Sequence, residues 1–148
     1  GYNVPGDVVR KFFKIYWNDL FGKEAKLYNL ISDIIESNEK FYIIGTYLNN
    51  NTVEHEYAHA YFYMFKEYRD SMKTLVKSLP SKFRKKMTDS LLKDGYCKDV
   101  ITDEIHAYLS TNTMTEVDDT VNTPVPWNII LEFQQQFEEM HKEKTDNV

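Results

Sequence analysis

The sequence predicts a predominantly helical α+β domain with one small sheet. Three observations predict it. Apolar residues recur at helical spacing over most of the chain. A single run, FYIIGTYL at 41–48, is β-branched and aromatic enough to be a strand. Gly, Pro and Asn punctuate the chain between these segments. Residues 1–6, with Pro5 and Gly6, read as an irregular lead-in. A first helix is expected over 7–21, with Val8, Phe12, Ile15, Tyr16 and Leu20 on one side, Asp7 as N-cap and Gly22 as stop. A second is expected over about 23–37, burying Ala25, Leu27, Leu30, Ile31, Ile34 and Ile35. The strand ends at Asn49-Asn50-Asn51. A helix follows from about Thr52 to Glu67, with Asn51 and Glu54 spaced for a capping box. Further helices are expected over 68–78, 81–93 and about 98–110. Pro80, Ser81 and Gly95 mark their boundaries. Residues 111–123 are polar and read as a loop. Pro124 and Pro126 introduce a last helix over about 127–143, and 144–148 are expected to fray.

The chain has 148 residues, one domain by size, and can bury a core without disulfides. Eleven Tyr, nine Phe and two Trp make that core aromatic. A net charge of -5 argues against a nucleic-acid partner. The one basic cluster, Lys82 to Lys86, reads as a solvated helix face. Cys97 is the sole cysteine, which fits a reducing, cytoplasmic setting. No apolar stretch reaches the roughly 18 residues of a membrane span, so no membrane partner is expected. The chain begins at Gly1 and not at Met, so the lack of a visible signal peptide carries little weight.

The chemistry is concentrated in His55-Glu56-Tyr57-Ala58-His59, an HExxH motif. Four residues apart on a helix, the two imidazoles share a face and can hold one Zn²⁺. Glu56 is expected beside the metal, where a carboxylate can act as general base and acid on a zinc-activated water. The expected reaction is hydrolysis of a peptide or other amide bond, with a peptide or protein as substrate. Catalytic zinc sites carry three protein ligands, so one more is required.

The segment Val53 to Ala60 resembles the active-site helix of the zincin metallopeptidases. Its break with the extended HExxHxxGxxH pattern is plain, because positions 62 and 65 are both Phe. Deformylases carry their Cys ligand before the motif, whereas Cys97 follows it. The segment Thr102-Asp103-Glu104-Ile105-His106-Ala107-Tyr108 resembles the Glu-bearing helix of the gluzincins, and the resemblance implies Glu104 as third ligand. His106 and Asp103 remain rivals. His106 sits two positions from Glu104, so both cannot face one metal from a helix. With Glu104 as ligand, His106 is expected to be partly exposed or turned to the substrate.

In the thermolysin-like relatives an Asp four residues after the Glu orients a ligand His. Tyr108 stands there in this chain. It is expected to contact His55 or His59 or to stabilise an oxyanion, with Asp103 as the alternative carboxylate and Tyr96 as another donor. The resemblance further implies that strand 41–48 is a sheet edge to which an extended substrate adds. Gly45 would allow close approach there, or mark a bulge. The run Tyr57, Tyr61, Phe62, Tyr63, Phe65 is expected to anchor the active-site helix in the core. A second reading of the chain is a non-catalytic binding or regulatory domain on the same fold.

Overall fold

The computed structural model of the chain describes residues 2–46, 52–121 and 123–146. Two strands and eight α-helices occur among them: β1 (Tyr2–Pro5), α1 (Gly6–Tyr16), α2 (Gly22–Glu36), β2 (Tyr42–Gly45), α3 (Thr52–Met64), α4 (Lys66–Ser78), α5 (Ser81–Lys93), α6 (Ile101–Thr111), α7 (Met114–Val121) and α8 (Trp127–Thr145). Short 3₁₀ turns at Trp17–Asp19 and Lys98–Val100 precede α2 and α6. The predominantly helical α+β class is as the sequence predicts.

Helix α6 is the centre. Seven of its eleven residues are buried: Ile101, Glu104, Ile105, His106, Ala107, Leu109 and Ser110. It packs on α3, α4, α5 and α8. Met72, Ile105, Leu109, Ile130 and Phe133 fill the space between them. Each such side chain contributes roughly 1.5–3 kcal/mol by leaving water. A helix covered on so many sides must partner its polar groups internally, and that requirement builds the site described below.

A second, smaller core holds Val9, Phe13 and Phe41, with Ile31, Ile34 and Ile35 packed against it. Arg10 ties it together. Its guanidinium donates to the carbonyls of Ile34, Ile35 and Ser37 at 2.9–3.0 Å, capping the C-terminus of α2. The same guanidinium stacks over the Phe41 ring at 4.7 Å.

Several expectations are corrected. Residues 2–5 form a strand, not a lead-in. It pairs antiparallel with β2 in the register Tyr2↔Gly45, Asn3↔Ile44, Val4↔Ile43, Pro5↔Tyr42. Four residues whose partners lie about forty positions away carry no local pattern. One edge of β2 is therefore taken by β1. Helix α1 begins at Gly6, so Asp7 lies in its first turn and is not its cap. It ends at Tyr16, and its buried positions are Val9 and Phe13, while Val8, Phe12, Ile15 and Tyr16 are exposed. Similarly, Leu30 of α2 is 81% exposed, and Gly22 begins that helix at φ 62° instead of ending α1. The expected loop at 111–123 contains α7. Thr113 and Glu116 form a reciprocal capping box (Thr113 N to Glu116 Oε2 2.8 Å, Glu116 N to Thr113 Oγ1 3.4 Å), and Val117 and Val121 then enter the core. Helix α8 continues through Thr145, past its expected end. Residues 47–48 of the expected strand and the Asn51 cap lie outside the described residues.

Gly6 joins the sheet to α1. Its N–H donates to Phe41 O at 2.9 Å, and a Cβ there would lie 2.6 Å from that oxygen. Gly6→Ala is expected to destabilise the protein by about 1–3 kcal/mol, read as a lower urea midpoint at unchanged slope.

Candidate metal centre

Helix α3 carries His55 and His59 one turn apart, and α6 crosses it with Glu104 facing them. The two Nε2 atoms are 3.2 Å from each other. Glu104 Oε2 lies 3.5 Å from His59 Nε2 and 3.8 Å from His55 Nε2. Three ligand atoms, one from each residue, fall within 4.8 Å of one another. Of the residues named from the sequence, the structure gathers His55, His59 and Glu104.

The donor set fits a metal on one further observation. Glu104 Oε2 is buried without a hydrogen-bond partner. A buried carboxylate oxygen that accepts no hydrogen bond is costly, and a cation in direct contact with it removes the penalty. Burial raises the Glu104 carboxyl pKa, but the two facing imidazoles outweigh that and hold it below its ordinary value. It is therefore an anion aimed at two imidazole nitrogens.

The next layer orients both rings. Asp103 Oδ1 is 3.0 Å from His59 Nδ1. It accepts that N–H and leaves the Nε2 lone pair for a metal. Thr111 Oγ1 donates to Ala107 O at 2.8 Å and lies 3.4 Å from His55 Nδ1, so it faces the corresponding atom of the other ring. Tyr108 touches His55 through its ring, edge-on at 4.9 Å between centroids. Its hydroxyl is within hydrogen-bonding reach of Tyr96. Asp103, and not Tyr108, thus faces a ring nitrogen of the motif, and the Tyr108 ring packs beside His55.

His106 is corrected. It is 0% exposed, neither solvent-facing nor turned toward a substrate. Its Nδ1 is 3.2 Å from Asp103 Oδ1, and the Tyr68 hydroxyl lies 3.1 Å from its Nε2. Phe62 stacks on the ring at 4.9 Å. Burial lowers the His106 pKa despite the nearby carboxylate, so the ring is neutral, donating from Nδ1 and accepting at Nε2. Tyr68, His106, Asp103 and His59 form one continuous polar chain ending at a His of the motif. Helix phase explains it: Glu104 and His106 diverge by two residues, so one faces α3 and the other the α4 side. Asp103→Asn is expected to weaken zinc binding about 10–100-fold with the fold intact, measured by competition with a chelator.

Glu56 is 6% exposed. Asn3, on β1, donates its side-chain amide to Glu56 Oε2, and the Tyr42 hydroxyl donates to Asn3 Oδ1 at 2.5 Å. Burial, with the negative charges of Asp103, Glu56 and Glu104 behind it, raises the Tyr42 pKa. Sequence reasoning missed Asn3 and Tyr42. Only the β1–β2 register, which places Asn3, Pro5, Tyr42 and Ile44 on one face of the sheet, reveals them. Most of the expected aromatic run anchors in the core: Tyr61 and Phe62 are buried, and Tyr57 and, just past α3, Phe65 pack against it, but Tyr63 instead packs on Tyr42 and donates to Asp7 at 2.7 Å.

No family profile, no curated protein and no solved structure matches the chain.

Proposed function

We propose that the chain is a zinc-dependent peptidase of the zincin type, with Zn²⁺ held by His55, His59 and Glu104. The observation that carries this reading is the buried Glu104 Oε2, which accepts no hydrogen bond and lies 3.5–3.8 Å from two imidazole nitrogens whose other ring nitrogens face Asp103 and Thr111. A zinc ion in such a site acts as a Lewis acid and lowers the pKa of water. Glu56 takes the proton of the attacking water and passes it to the leaving amine. Asp103 fixes the His59 tautomer. Tyr108 flanks His55 and is proposed to donate to the developing oxyanion.

The substrate class is an extended peptide or protein segment. One edge of β2 is filled by β1, so main-chain pairing with a substrate would use an edge that the two strands leave open. The net charge of -5 disfavours nucleic acid. Among the described residues no helix is long and apolar enough to cross a membrane. A reducing, cytoplasmic setting is proposed from the single, exposed Cys97.

The test is zinc content after metal-replete purification, followed by digestion of a mixed peptide library read by mass spectrometry. Stoichiometric zinc with cleavage supports the proposal. Zinc without cleavage of any peptide favours the non-catalytic binding domain, and no zinc refutes the peptidase reading.

A further inference from the structure

Strand β1 adds a residue to the site that the HExxH helix does not supply. Asn3 stands on the face of the two-stranded sheet that meets α3, and its amide nitrogen donates to Glu56 Oε2. The other end of that amide, Oδ1, accepts from Tyr42 on β2. Tyr42 is held in turn by its ring contact with Tyr63 of α3, 5.4 Å between centroids. Two strands and one helix therefore fix the amide at both ends, and the amide fixes one oxygen of the carboxylate. A buried carboxylate has two oxygens and a free χ3, so a donor on one oxygen decides where the other points.

We propose that Asn3 is a positioning residue for Glu56, with Tyr42 as the group that orients Asn3. This rests on the reading of Glu56 as general base beside a metal at His55, His59 and Glu104. Through the amide, Oε2 is occupied by a protein donor, and Oε1 is left for the proton of water. The side chain of Asn fits this role because its two ends differ: the nitrogen donates to Glu56 and the oxygen accepts from Tyr42. An Asn3→Asp substitution would set one carboxylate against another, and Asn3→Ala would leave both neighbours without the bond.

The test uses the full chain loaded with Co²⁺ and titrated with acetohydroxamic acid, followed by the visible absorption of the metal. A hydroxamate chelates the metal and gives a proton to the base carboxylate, so its affinity reports where Glu56 points without requiring turnover. Asn3→Ala is expected to weaken acetohydroxamate about tenfold with cobalt content unchanged, the scale of one hydrogen bond to a charged group. Tyr42→Phe, which keeps the ring, is expected to weaken it in the same direction by a smaller factor. In a Glu56→Ala background Asn3→Ala is expected to have no further effect, because the coupling runs through that carboxylate. Unchanged affinity in Asn3→Ala, an equal loss in the Glu56→Ala background, or tighter binding as if Asn3 had been blocking the site, would each overturn the proposal. A chain that takes up no cobalt fails at the earlier step and overturns the metal centre itself.

Discussion

Glu56→Gln is expected to slow peptide hydrolysis by about 10²–10⁴-fold while zinc content stays at one ion per chain. The substitution is nearly isosteric at a side chain that is 6% exposed, so packing is preserved. The amide oxygen of Gln can still accept from Asn3. What disappears is the ability to take a proton, since an amide is not a base near neutral pH. Neither His55, His59 nor Glu104 loses an atom. Turnover of the best library peptide, together with metal analysis of the same sample, separates the two quantities. Unchanged turnover would remove Glu56 from the chemistry, and loss of zinc would make it a structural residue.

His59→Ala is expected to weaken zinc binding by about 10²–10³-fold. Structural zinc sites gain roughly 10–16 kcal/mol in all from their ligands, so one ligand represents about 3 kcal/mol. This His carries more than its own nitrogen, because it also pairs with Asp103 at 3.0 Å. Burial disfavours its charged form, but the carboxylates of Asp103, 3.0 Å from Nδ1, and Glu104, 3.5 Å from Nε2, raise its pKa to about 10 in the metal-free protein. A metal must displace that proton. Between neutral pH and about pH 10 the affinity is therefore expected to rise about tenfold per pH unit, with close to one proton released per zinc bound at neutral pH. The release is read by calorimetry in buffers of different ionisation enthalpy. His59→Ala is expected to lose both the affinity and this proton.

How much of this was legible in the sequence follows from sequence distance. The two His of the motif are local to one helical turn, so their convergence could be read directly. Glu104 against His106 was a matter of helix phase, and phase allows only one of them at the metal. Phase alone could not say which, because the deciding partners of His106, Tyr68 and Phe62, lie 38 and 44 positions away. Asp103 was legible both as a rival ligand and as the alternative carboxylate behind a ring, and it stands behind His59, on the ring nitrogen that faces away from Glu104. Strand β1 and the Asn3–Glu56 bond were not legible, since Glu56 is 53 residues from Asn3 and no short motif links them. Helix α7 was legible in principle: Thr113 and Glu116 have capping-box spacing and Val117 and Val121 follow on one face. Its polar composition hid it. The exposed sides of α1 and α2 mislead a pattern search because apolar residues occur on more than one face of each helix.

The metal centre stands or falls on one zinc ion shared by two His of α3 and one Glu of α6. A crystal structure of the zinc-loaded protein, with anomalous data at the zinc edge, decides it. A single anomalous peak is expected at about 2.0–2.2 Å from His55 Nε2, His59 Nε2 and a Glu104 carboxylate oxygen, with His106 still bonded to Asp103 and Tyr68. A peak ligated by His106, a peak away from α3, or no peak from a metal-replete crystal would refute it.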